Sequence, residues 1–227
     1  MRILFTALAL AIAAPALAAT PSWDGLTEVN SRRMGTTWML AGADFRPYKK
    51  VMIAEPEVAF RNNWMRDVNR GRSARRVSQA DADRILATVA TNLTDVFAQE
   101  FTRAGFEVVT KPGPDVLTLN VDIVNLFVNA PDTGSSARSA SFTTNAGEAT
   151  IVLEARDSET RALLARAVDR RQTQNNVGMG TQATRVSNTA DFRRLAQGWA
   201  RTTASKLQGL QAISPVPDPL TPGQRVN

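Results

Sequence analysis

The chain has 227 residues, with 27 Lys and Arg against 21 Asp and Glu, and it contains neither His nor Cys. Its 43% apolar and 21% charged residues make a globular composition, and the length suits one domain. Without Cys or His there is no disulfide framework, thiol nucleophile, imidazole base, Ser-His-Asp triad or usual zinc or copper site, and no cofactor is implied.

Arg2, the apolar run from Ile3 to Ala14 and the small-residue pattern Ala16-Leu17-Ala18 read as a secretory signal peptide over residues 1–18. The run is shorter than the roughly 20 apolar residues that span a bilayer, and no Cys follows it for lipid attachment. The expected product is periplasmic or secreted, with no transmembrane span after cleavage and no lipid anchor. Residues 19–48 carry Trp23, Leu26, Trp38, Met39, Leu40 and Phe45 without sustained periodicity, and read as an irregular arm packing on the domain.

The domain proper is expected over residues 49–213. Val51 to Ala54 reads as a strand, which Pro56 ends, bends or confines to an edge. Asn62 to Asn69 suits one or two helical turns, and Arg70 to Arg76 reads as a loop. Ser78 and Asp81 form a capping pair for a long helix, with Ile85, Leu86, Val89, Leu93, Val96, Phe97 and Phe101 at helical spacing up to Gly105. Phe106 to Thr110 is the next strand. Val116 to Val128 is a long one whose apolar phase changes after Ile123, so that either both faces are covered or a bulge resets the register. The Trp-containing arm is the expected cover.

Pro131 to Gly147 reads as a polar loop. Ala149, Ile151, Leu153 and Ala155 alternate with Thr150, Val152, Glu154 and Arg156, and Asp157 to Thr160 turns the chain into a partner strand over Arg161 to Gln172. A second loop, Gln174 to Ser187, precedes a helix starting at Asn188 or Thr189, with Phe192, Leu195, Trp199, Thr203, Leu207 and Leu210 as its buried stripe. Residues 214–227 hold four prolines and read as a disordered tail. The expected fold is α+β: a single domain with a mixed, mostly antiparallel sheet of about five strands and two helices packed on one face.

Several segments carry a resemblance: Trp23-Asp-Gly-Leu26, Gly42-Ala-Asp-Phe45, Pro56-Glu-Val-Ala-Phe60, Trp64, Pro112-Gly-Pro-Asp115, Asn125-Leu-Phe-Val-Asn-Ala-Pro-Asp132, Gly147-Glu-Ala-Thr150 and Asp169-Arg-Arg171. Over nearly the whole chain after the leader, the sequence resembles a bacterial envelope family catalogued as domain of unknown function 3313. Many members look like lipoproteins, and this chain departs from them in lacking the lipidated Cys. The resemblance implies secretion and no established activity. The element order is also similar, at fold level, to small α+β domains in envelope assembly and transport-accessory proteins.

The positive charge is local. Six arginines and one acid fall between Arg61 and Arg76, a balance equal to that of the whole chain once Arg2 is removed. Guanidinium groups grip phosphates and carboxylates, so Arg66, Arg70, Arg72, Arg75 and Arg76 are candidates for an anionic envelope component; the bland reading is a solvated loop. Nucleic acid is not expected, because the segment has one aromatic, Trp64, and no stacking ladder. Trp23, Trp38 and Trp64 are candidates for a partner surface, against a reading as packing residues. Glu148, Glu154, Asp157 and Glu159 are nominal candidates for a carboxylate-based hydrolase of cell-wall or polysaccharide substrates, against a reading as solvated surface. No catalytic constellation stands out. The leading expectation is an exported non-catalytic envelope protein, a binding or assembly-accessory module with an envelope protein or anionic component as partner.

Overall fold

The structure is a computed structural model and describes residues 24–70, 76–128, 142–143, 145–174, 181–182 and 185–226. The expected signal peptide lies outside the described residues. Among those described, no helix is long and apolar enough to cross a membrane.

The chain runs β1 (Thr27–Val29), β2 (Thr36–Met39), β3 (Lys50–Ile53), β4 (Val58–Phe60), α1 (Trp64–Asn69), α2 (Gln79–Arg103), β5 (Glu107–Val108), β6 (Val116–Val128), β7 (Phe142–Thr143), β8 (Asn145–Asp157), β9 (Leu163–Gln174), β10 (Thr181–Gln182) and α3 (Arg185–Ile213). Eight strands form one mixed sheet in the order β1-β2-β9-β8-β6-β3-β5, with β4 also on β6, while β7 and β10 pair separately. The α+β class holds, but among the described residues there are more strands than the five expected and three helices instead of two. The strands missed in the sequence are only two to four residues long, too short to display a period.

The long elements follow from local chemistry. Ser78 and Asp81 close a reciprocal capping box on α2. At its other end Gly105 takes φ 91°, with Gly105 N–H donating to Thr102 O and Phe106 N–H to Phe101 O. The Phe101 and Phe106 rings, 5.5 Å apart, complete this Schellman arrangement. The turn between β8 and β9 is fixed by Asp157, whose carboxylate accepts from the Glu159 and Thr160 backbone N–H groups at 3.1 and 2.7 Å.

On β6, Leu117, Leu119, Val121 and Ile123 are buried on the helix side, beside Ile151 and Leu153 of β8. The phase change has a local cause. Asn125 sits at φ 56° and the pairing with β8 shifts between Val124 and Phe127, which returns Leu126 to the buried side. A bulge therefore resets the register. The ladder on the opposite side of β6 is likewise interrupted at Pro56. Strand β3 pairs with Val116 to Leu119 and β4 with Ile123 to Leu126, while Asp122 Oδ1 accepts the Glu57 backbone N–H at 2.9 Å.

Two further expectations are corrected. The arm expected over residues 19–48 is, where described, not only an irregular cover: β1 and β2 extend the sheet beyond β9, with Trp38 opposite Arg166. Residues 214–226 are not disordered: Val216, Leu220 and Val226 are buried, Gly223 N–H donates to Glu28 O, and Asn30 N–H donates to Gln224 O. Proline content signals a lack of helix or strand, but apolar residues between prolines can still be buried.

Helices α2 and α3 lie side by side on one face of the sheet, as expected. Glu100, buried on α2, is bonded by Arg103 of its own helix and by Arg201 Nε of α3 at 3.1 Å. Burial alone would raise its carboxyl, but the two guanidinium groups more than offset that and hold it below the usual glutamate range. A folded-state value below the unfolded one contributes stability above the unfolded value, which is lost as pH falls through the folded one. Glu100→Gln should lower stability at neutral pH by about 1–3 kcal/mol, and thermal melts should show a smaller loss on acidification than the parent. Deleting residues 214–227 should cost on the order of 3 kcal/mol or more, from loss of the Val216, Leu220 and Val226 anchors, measured by denaturant unfolding.

Candidate functional site

With both long helices on one side, the alternation of β2, β9, β8 and β6 sends every second side chain to the other. Register aligns four residues from distant parts of the chain: Trp38 opposite Arg166, Arg166 opposite Glu154, and Glu154 opposite Asn120. The next row is Thr36, Val168, Val152 and Asp122. All eight are only partly buried, apart from the exposed Thr36.

The charges on this face are organised. Glu154 accepts from Arg166 Nη2 at 2.8 Å and from Arg156 Nη2 at 2.7 Å. Arg166 also pairs with Asp24, and Arg156 reaches the carbonyl of Arg161 at 3.0 Å. Farther along, Glu148 pairs with Arg170 at 2.6 Å and accepts from Gln172 at 2.9 Å. Burial pushes Glu154 up, yet hydrogen bonds from Arg166 and Arg156 outweigh it, and the carboxyl lies below the usual range. Glu148 is held low chiefly by Arg170, and Asp157 chiefly by the Thr160 N–H in its turn. Asp122 moves the other way, raised by burial against the Glu57 N–H.

These settings bear on the nominal hydrolase residues. A general acid needs a carboxyl raised toward neutral pH. Glu148, Glu154 and Asp157 are instead lowered, each committed to guanidinium or turn contacts, and Glu159 is an exposed turn residue. Among the described residues no group of three or more acids is placed to hold a metal ion.

The arginine segment divides. Asp67 takes Arg61 at 3.2 Å and Arg66 at 3.8 Å, and the Arg61 guanidinium lies 4.0 Å from the centre of the Phe127 ring. Arg70 and Arg76 are exposed, at a neck closed by Asn69, whose side chain accepts from Val77 N–H at 2.7 Å and donates to Val77 O at 3.0 Å. Arg72 and Arg75 lie outside the described residues.

The tryptophans divide as well. Trp64 is 1% exposed, stacked on Phe60 at 3.7 Å with its Nε1–H bonded to Val128 O, and so belongs to a small second core and not to a partner surface. A one-turn helix gives too little sequence for that burial to be seen in advance. Trp38 is half-buried on the open face, and Trp23 lies outside the described residues. Arg166 and Asn120, absent from the sequence candidates, fall into one cross-strand row with Trp38 and Glu154 through register alone.

No curated protein matches the chain. Solved structures similar to it include a PelC dodecamer from Paraburkholderia phytofirmans, at 11% identity and TM-score 0.40, covering 76% of this chain and 98% of that one. A Xanthomonas campestris protein of the DUF330 family gives 11% identity and TM-score 0.40, covering 83% and 88%. A minor lipoprotein from Acinetobacter baumannii gives 10% identity and TM-score 0.31, covering 70% and 92%. The family model described as "Protein of unknown function (DUF3313)" matches residues 18–203, from the end of the expected leader into α3, and the chain belongs to that family.

Proposed function

We propose that this protein is an exported, non-catalytic envelope module that meets a partner protein through the open face of β2, β9, β8 and β6. The observation that carries this reading is the face itself: the long helices occupy the opposite side, and the rows of Trp38, Arg166, Glu154 and Asn120 and of Val168, Val152 and Asp122 are only partly buried. Trp and Arg are the residues enriched where protein interfaces concentrate their binding energy. The charges are already paired within the chain, so a partner covering them meets a mostly neutralised surface with a low desolvation cost. The lowered carboxyls of Glu148 and Glu154 do not suit them to the part of a general acid.

A second reading is favoured by one observation, the exposed Arg70 and Arg76 at the neck closed by Asn69. There the protein binds an anionic envelope polymer, and affinity falls steeply as salt screens the contact.

A photo-crosslinking residue at Val168 should trap one discrete envelope component in intact cells, whereas one at Ala87, exposed on α2, should not. Val168→Arg should abolish the adduct formed from a crosslinker at Trp38. Equal labelling from both faces, or cell-wall hydrolysis that disappears in Glu154→Gln, would count against the module. For the second reading, Arg70→Gln with Arg76→Gln should elute earlier from an immobilised polyanion; unchanged elution removes it.

A further inference from the structure

On the open face, the two central rows complement themselves when reversed. From β2 to β6 one row runs Trp38, Arg166, Glu154, Asn120, and the next runs Thr36, Val168, Val152, Asp122. Turned end for end and laid on itself, the first row sets Arg166 against Glu154 and Trp38 against Asn120. The second sets Val168 against Val152 and the Thr36 hydroxyl against the Asp122 carboxylate. A surface with this property fits a copy of itself related by a two-fold axis, the commonest symmetry by which identical chains associate. The axis runs along the strands, between β8 and β9, and four valines meet at it, two from each copy.

Charge and area agree with this occupant. Arg166 and Arg156, both on Glu154, offset its charge and that of Asp122, so the rows present no strong single sign to repel a second copy. Strands β6, β8 and β9 are 13, 13 and 12 residues long. At about 3.3 Å per residue and about 4.8 Å between strands they make on the order of 600 Å² of sheet. Each partner in a stable complex buries roughly 600–1,000 Å². Stacked sheets lie about 10 Å apart with their strands within about 30° of one another, an angle at which pairs beside the axis still face each other.

We infer that the partner of the open face is a second copy of this chain, bound face to face about that axis, with the helices of both copies outward. The pairing rests on the open face being a partner surface.

Sedimentation of the full exported chain should show a monomer–dimer equilibrium, and Val168→Arg should weaken it by about tenfold or more. Arg166→Glu and Glu154→Arg should each be monomeric alone, because each sets like charges face to face. An equimolar mixture of the two should restore the dimer, since one chain then presents two acids and the other two guanidinium groups. A fold merely damaged by either change would not be rescued by mixing. The chain has no Cys, so Val168→Cys supplies a single thiol. A short bismaleimide should link two copies through it, but not through Ala87→Cys on the exposed side of α2. A monomer at every concentration up to about 1 mM, a folded mixture that stays monomeric, or no cross-link at Val168→Cys overturns the two-fold pairing. If the Val168 photo-crosslinker then traps a different envelope protein in cells, the partner surface stands and only its occupant changes; if it traps nothing, both readings fall.

Discussion

One carboxylate fixes how the layers of this protein sit. Asp169, on the helix side of β9, accepts the indole N–H of Trp199 at 2.8 Å and the Arg171 Nε–H at 2.8 Å. Arg171 lies 5.5 Å from the Trp199 ring and donates to the Arg33 carbonyl at 3.0 Å. A single polar group thus joins the last helix, a central strand and the N-terminal hairpin. It is directional in a way that hydrocarbon contact is not, since a rotation of α3 would leave the indole N–H unsatisfied and strip the carboxylate of one of its two donors. Glu100 does for the pair of long helices what Asp169 does for α3 and the sheet.

This arrangement separates the molecule into two sides with different chemistry. On one side, helices and an apolar layer are held by two polar locks. On the other, arginine and carboxylate ladders run across strands and leave Trp38, Val152 and Val168 among neutralised charges. The bulge at Asn125 keeps this division intact along β6, because without it Leu126 would turn to the polar side.

Long elements were legible in the sequence because each repeats its own rule many times: the capping box and apolar stripe of α2, the alternation of β6 and β8, the turn at Asp157. The phase change in β6 pointed to a bulge as one of two outcomes. Strands β1 and β2 were not legible, since three or four residues carry no period and their pairing depends on β9, more than a hundred positions away. Gly35 marks the joint in hindsight: a Cβ there would come within 2.3 Å of the Val168 carbonyl oxygen. The open-face rows were invisible for the same reason, being products of register between positions 38, 166, 154 and 120. The arginine segment was legible as charge but not as geometry, because the sum over residues does not reveal that Asp67 and the Phe127 ring engage Arg61.

The C-terminal segment has a role beyond its buried side chains. By bonding to the Glu28 carbonyl and the Asn30 N–H, it occupies hydrogen-bonding groups on the outer side of β1, while the strand at the opposite end of the sheet, β5, is only two residues long. Exposed strand edges template the addition of foreign strands, and proteins suppress this by covering or shortening them. Both margins of the sheet are blunted in these two ways. Copies of the chain are thereby discouraged from joining edge to edge into growing ribbons.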